Sequence, residues 1–375
     1  MPDLTTQERE VTPIRLAWSA WARSWLVSTC LSLIGEFDMK PRFGTFLLAI
    51  CIVMVTGCTA SSPQEPSATP TSVPTILPTP SSIVPFEKRL LATIDVKYPD
   101  ELVFVQGYIW VKTDDGHVIQ VDPATNSVVG EIKVDTTSDP YHYCQGLGTD
   151  GDNIWACSAS GDEDNRTIDV VRIDPSTKSV VETVEVGKIF DQFKMPFLLN
   201  RIWVLSGNGD KLVGIDITTN QPGPPIDLGV RCFQVEAVGK SLLATCRLDN
   251  LVLRIDPERM EVTDRLTFSN PLNIAAAENG IWLSQGNAIA RLDTESLEPV
   301  AIFANLLNAD IFATKEAVWV RLENGFLYRI DPVSNQLVEQ IETDQSLSIG
   351  SILVTSDSIW TTASDDDILI RLSLK

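Results

Sequence analysis

One motif recurs along most of this chain and constrains the fold more than any other feature. It reads as a small or polar pair, an aliphatic, Trp, a hairpin, then aliphatic-x-aliphatic-Asp, usually Pro, and finally a valine-rich run. Six copies begin Tyr108-Ile109-Trp110, Asn153-Ile154-Trp155, Arg201-Ile202-Trp203, Gly280-Ile281-Trp282, Ala317-Val318-Trp319 and Ser358-Ile359-Trp360. A seventh, Ser241-Leu242-Leu243, carries Leu in place of Trp, and the spacing runs from 37 to 48 residues. A period of this length marks repeated supersecondary units, each unable to bury its apolar face alone.

Each unit divides into four short runs of β pattern separated by turn signals, at 102–105, 108–112, 117–121 and 128–134 in the first. Helical periodicity is absent from residue 90 onward. Four antiparallel strands every 40 or so residues predict an all-β chain, a seven-bladed β-propeller with the Trp residues as packing between blades. The last unit ends after its third strand, and residues 90–96 match the fourth-strand pattern, so this N-terminal strand is expected to complete the last blade and close the ring. The repeated aspartates, Asp122, Asp174, Asp216, Asp256, Asp293 and Asp331, are read as turn formers, with Pro following in four. Proline presets φ for a type I turn, and the carboxylate can accept a backbone N–H.

The repeat resembles YVTN/YncE-type propellers and is similar in pattern to the streptogramin (virginiamycin B) lyases, over residues 90–375. Resemblance to the lyases implies a metal held by His and Glu on blade loops. Here the only histidines are His117 and His142, and the later blades have none. The alternative of a propeller-type lyase or hydrolase is therefore carried second to a binding or scaffold module, and no catalytic residue, metal or cofactor is assigned.

Upstream, Lys40 and Arg42 precede an apolar run at 46–55, too short for the ~20 residues of a membrane span. Val55-Thr56-Gly57-Cys58 resembles the lipobox of bacterial lipoproteins, which implies lipidation of Cys58 and cleavage before it. The expected organisation is an extension at 1–38 upstream of a start at Met39, or alternatively an interfacial helix there; a signal peptide at 39–57; a lipidated Cys and Pro/Ser/Thr-rich linker at 58–86; and the propeller at 87–375. Residues 59–85 would form an extended stalk reaching ~80 Å. The location expected is a cell membrane, lipid-anchored on the extracytoplasmic face.

Residues 1–57 hold five Lys/Arg and five Asp/Glu, so the whole net charge of −21 falls after them. Such a surface repels phosphate backbones, which excludes nucleic acid as a partner. Four cysteines after Cys58 fall into two pairs, each spanning the first and second strands of one blade, predicting disulfides Cys144–Cys157 and Cys232–Cys246 in an oxidising compartment. If a monomer of this kind binds a protein or cell-wall ligand, the site is expected at the channel mouth, with Tyr141, His142, Tyr143, Phe190, Arg231 and Arg247 as candidates.

Overall fold

The computed structural model describes residues 73–77, 79–136, 144–161, 167–187, 192, 194–307, 309–322, 327–343, 347–348 and 350–375. Met39, Cys58, Tyr141, His142, Tyr143 and Phe190 lie outside them.

Seven antiparallel sheets follow one another along the chain, one for each repeat. Blade one consists of Pro99–Val105, Tyr108–Thr113, His117–Asp122 and Ser127–Lys133, paired in chain order. Blades two to six repeat the pattern. Blade seven takes three strands from the C-terminus, Ile352–Val354, Ser358–Ala363 and Ile368–Ser373. Its fourth is Leu90–Asp95, antiparallel to Ile368–Ser373 with Ile94 opposite Leu369. The seven-bladed propeller and its closure by the N-terminal strand are as the repeat arithmetic predicts.

The six Trp residues are at most 2 % exposed. Each ring packs between its own blade and the next: Trp110 meets Leu147 and Ile154 of blade two, and Trp319 meets Ile352 and Ile359 of blade seven. Burying an indole removes 150–250 Å² from water, roughly 4–6 kcal/mol per blade junction. In four blades the residue opposite the Trp on the third strand is arginine: Arg172, Arg291, Arg329 and Arg371. In blade three, where Gly214 is opposite Trp203, Arg201 fills the role from the same strand. These five guanidinium carbons lie 5.0–5.9 Å from the indole centroids.

The arginines also reach the next blade. Arg172 donates to Ile217 O and Asn220 Oδ1, both 3.0 Å, Arg291 to Asn335 Oδ1 at 2.6 Å, and Arg371 to Asn126 Oδ1 at 2.8 Å and to the Pro123 carbonyl. Their acceptors sit in the Asp-initiated turns. In all six turns the Asp Oδ1 accepts the backbone N–H two residues on, at 2.7–3.1 Å. The residue four positions after each Asp, such as Asn126, Asn220 or Asn335, is left-handed, with φ of 51–58°. Hydrogen bonds from the following turn residues hold Asp174, Asp216, Asp293 and Asp331 below the usual carboxylate range.

The C-terminal part of the segment read as a stalk lies on the propeller rim. Thr75–Ile76 runs parallel to Pro299–Ala304, the outer strand of blade five, and Ile83–Pro85 parallel to Gln336–Glu342, the outer strand of blade six. Ile302 N donates to Pro74 O at 3.1 Å and Gln340 N to Ser82 O at 2.9 Å. Phe86, 3 % exposed, then enters the core shared by blades six and seven. A Pro/Ser/Thr-rich run cannot build a core of its own, but an open sheet edge asks only for backbone groups. The linker of 58–86 therefore does not end as a free stalk: residues 75–77 and 79–86 belong to the folded unit.

Candidate functional site

Counting back nine residues from each Trp, or from Leu243, reaches Glu101, Gly146, Lys194, Gln234, Asn273, Asp310 and Ser351. No apolar side chain occurs at this position in any repeat. The register puts Gln234 and Asp310 opposite the residue two past the Leu or Trp, and in every blade the residue stands within or just before the start of an innermost strand. Several form links between neighbouring blades. Ser351 Oγ donates to Glu101 Oε1 at 2.7 Å, Asp310 Oδ2 accepts Ile352 N at 2.9 Å, Asn273 Nδ2 donates to Ala309 O at 2.9 Å, and Gln234 Oε1 accepts Ile274 N at 3.1 Å.

Lys194, on blade three's turn of this ring, reaches Asp310 of blade six, with Nζ 3.3 Å from Oδ1. Glu101 and Glu236 complete a cluster of three carboxylates around one ammonium. Burial would push Lys194 down, but Asp310, then Glu101 and Glu236, hold it above the ordinary lysine range. Burial pushes Glu236 up to about 7, with Asp310 and Glu101 adding to the rise against Lys194. Glu101, 3 % exposed, is also raised, chiefly by burial.

Below the cluster lies a cavity of about 540 Å³ lined by the innermost strands of all seven blades. Its wall is mainly apolar, with Phe104, Phe197, Phe312 and Leu353 among the lining residues and Lys194 and Glu236 at its charged end. The cavity is asymmetric because Lys194–Met195 pairs with Leu147–Thr149 of blade two, parallel, before the chain joins blade three at Phe197–Leu198. Gly148 permits this approach: a Cβ there would overlap the Met195 carbonyl.

A second charged group surrounds Lys112, fully buried, whose Nζ donates to the Thr113 carbonyl at 3.1 Å and lies 3.7 Å from Asp135 Oδ2. Asp135 Oδ1 accepts Ala159 N at 2.9 Å, joining blades one and two. Asp114 beside it accepts from Gln145 Nε2 at 3.3 Å, and its carboxyl is raised by burial.

Of the residues singled out from sequence, Arg231 and Arg247 come together. Their guanidinium carbons lie 5.2 and 4.5 Å from the centroid of the Phe233 ring, on blade four's share of the loop-bearing face. Cys232 and Cys246 are joined beneath them with Cα atoms 3.9 Å apart, and Cys144 and Cys157 are joined in blade two at 5.8 Å. His117 sits on blade one's third strand, its Nδ1 3.0 Å from Asp115 Oδ1 and its Nε2 3.5 Å from Glu131 Oε1. Asp150, in an acidic loop of blade two, spends both oxygens on its own turn and on Trp155 Nε1 at 2.9 Å.

No family model matches the chain, and no curated protein matches it. Among solved structures, it is similar to the β-propeller domain of Cps50 (Swd1) from Myceliophteria thermophila, with a TM-score of 0.60 at 14 % identity. The match covers 76 % of this chain and 99 % of that one, a likeness of fold.

Proposed function

We propose that the chain is a binding module held by lipid on Cys58 at the extracytoplasmic face of a cell membrane, whose central cavity takes a group of a protein or cell-envelope ligand. The observation that carries this reading is the cavity itself, an apolar chamber of about 540 Å³ ending in a charged cluster, built from all seven blades. Concave apolar sites with a few convergent polar groups are where proteins take ligands. The cluster sets three carboxylates around one ammonium, an arrangement that orients a bound polar group.

Photo-crosslinking tests it. With p-benzoylphenylalanine at Phe104 or Phe197 in cells, a defined adduct is expected that is absent when the probe sits at Val180 on an outer strand. Adducts indistinguishable at the three positions refute the reading. The anchor is tested separately by labelling with an alkyne fatty acid, which Cys58→Ala should abolish.

A further inference from the structure

Blade four departs from the repeat at its centre. Leu243 stands where six other blades bury an indole, and the residue opposite it is Arg254. The cation of the Trp–Arg pair is thus kept and the ring is missing. Leucine does not fill the volume of an indole.

A cleft of about 670 Å³ opens there between blades four and five, lined by Ser241, Leu243, Arg254, Ala276, Ala277 and Leu297 among others. It adjoins the place an indole edge takes elsewhere. In blade five a Cβ on Gly280 would stand 3.6 Å from Trp282 Nε1 and 3.0 Å from Arg291 Nε. Gly280 is the counterpart of Ser241, so the edge of blade five's indole and its guanidinium border the corresponding place, where a smaller cleft of about 340 Å³ remains beside Arg291. Arg254 is held at its edge, with Nη2 donating to Glu295 O at 2.7 Å and Nε 3.9 Å from Asp264 Oδ2.

We propose that this cleft binds a planar aromatic group of indole size, which takes the place of the missing Trp beside Arg254. Apolar walls from Leu243, Ala276 and Leu297 suit the ring's faces and edges, and the guanidinium supplies the cation that the other blades set against their own indoles. The site opens between two blades and shares Ala237 and Ala276 with the lining of the axial cavity, but it rests on the missing indole, so it stands whether or not that cavity binds a ligand.

The test is a ¹⁹F NMR titration of 5-fluoroindole with the full chain. Saturable binding is expected. Leu243→Trp should abolish it by rebuilding the pair in place, and Arg254→Met should weaken it roughly tenfold. Should Leu243→Trp fail to fold, Ala276→Leu narrows the cleft from blade five and is expected to have the same effect. Competition by N-acetyl-tryptophanamide marks the occupant as an aromatic side chain of a partner, and binding of the free indole alone marks a small molecule. Absence of saturable binding, or equal binding by the wild type and the variant with the cleft filled, overturns the proposal.

Discussion

Replacing Arg371 with Met removes a polar latch while keeping a side chain of similar length against Trp360. Arg371 donates through Nε to Ser358 Oγ at 2.8 Å, through Nη1 to Asn126 Oδ1 at 2.8 Å and to the Pro123 carbonyl, and lies 5.0 Å from the Trp360 centroid. Its Nη2 pairs with Asp357 at 3.0 Å, but Asp357 is 67 % exposed and water screens that pair to a small contribution. The bonds into the turn of blade one are charge-assisted and cross a blade junction, each contributing about 1.5 kcal/mol, and the stack adds about 1 kcal/mol. The expected loss is about 3–4 kcal/mol. Arg329 provides the comparison: it stacks at 5.9 Å on Trp319 but has no hydrogen-bond partner among the described residues. Blade seven, which would supply the acceptor, has its fourth strand at the N-terminus and so no Asp-initiated turn. Arg329→Met should therefore cost only about 1 kcal/mol. Urea denaturation followed by Trp fluorescence reads both, and equal midpoint shifts for the two variants would refute the latch.

Three further outcomes follow from the channel and the bridges. Glu236, raised from 4.5 to about 7, binds its proton more tightly folded than unfolded, so stability is fully present below pH 4.5 and falls as pH rises toward 7. Glu236→Gln should leave the urea midpoint unchanged at pH 4.5 and raise stability at pH 8 by up to roughly 3 kcal/mol; an identical gain at both pH values would contradict it. Gly148→Ala should lower the thermal midpoint and expose Met195 to oxidation, since the added carbon forces Lys194–Met195 off blade two; unchanged Met195 protection in peptide mapping counts against the assigned pairing. Cys232→Ser with Cys246→Ser should cost about 3 kcal/mol, as expected for a loop of 14 residues, and a midpoint equal to the wild type's would show the bridge to be dispensable.

The fold was legible because each blade repeats the same physical problem and solves it with the same residues. Trp at the centre of the second strand and Asp at the turn each have one local job, so spacing alone located both. The closing strand was equally plain, since a unit lacking its fourth strand and an unassigned strand upstream complete each other. The channel cluster was encoded too, nine positions before each Trp, as Glu101, Lys194, Asp310 and their polar counterparts. Sequence alone does not single it out, because its members are scattered one to a repeat, whereas Arg231 and Arg247 fall on either side of Phe233 in one blade. The meeting of Lys194 with Asp310 has no sequence signature, since the ring brings together blades three and six. The rim strands were unreadable for another reason: Thr75–Ile76 and Ile83–Pro85 bond through backbone, which any composition supplies.

The rim strands also determine how the ring responds to force. Tension applied through residue 73 meets the two backbone zippers on blades five and six first, then the buried Phe86 side chain, and only then Leu90–Asp95. The closing strand, whose departure would open the propeller, is thus last in a series of weaker fasteners. The two rim strands hold by only two and three residue pairs, so a pull from residue 73 would strip them one after the other before it loads the closing strand.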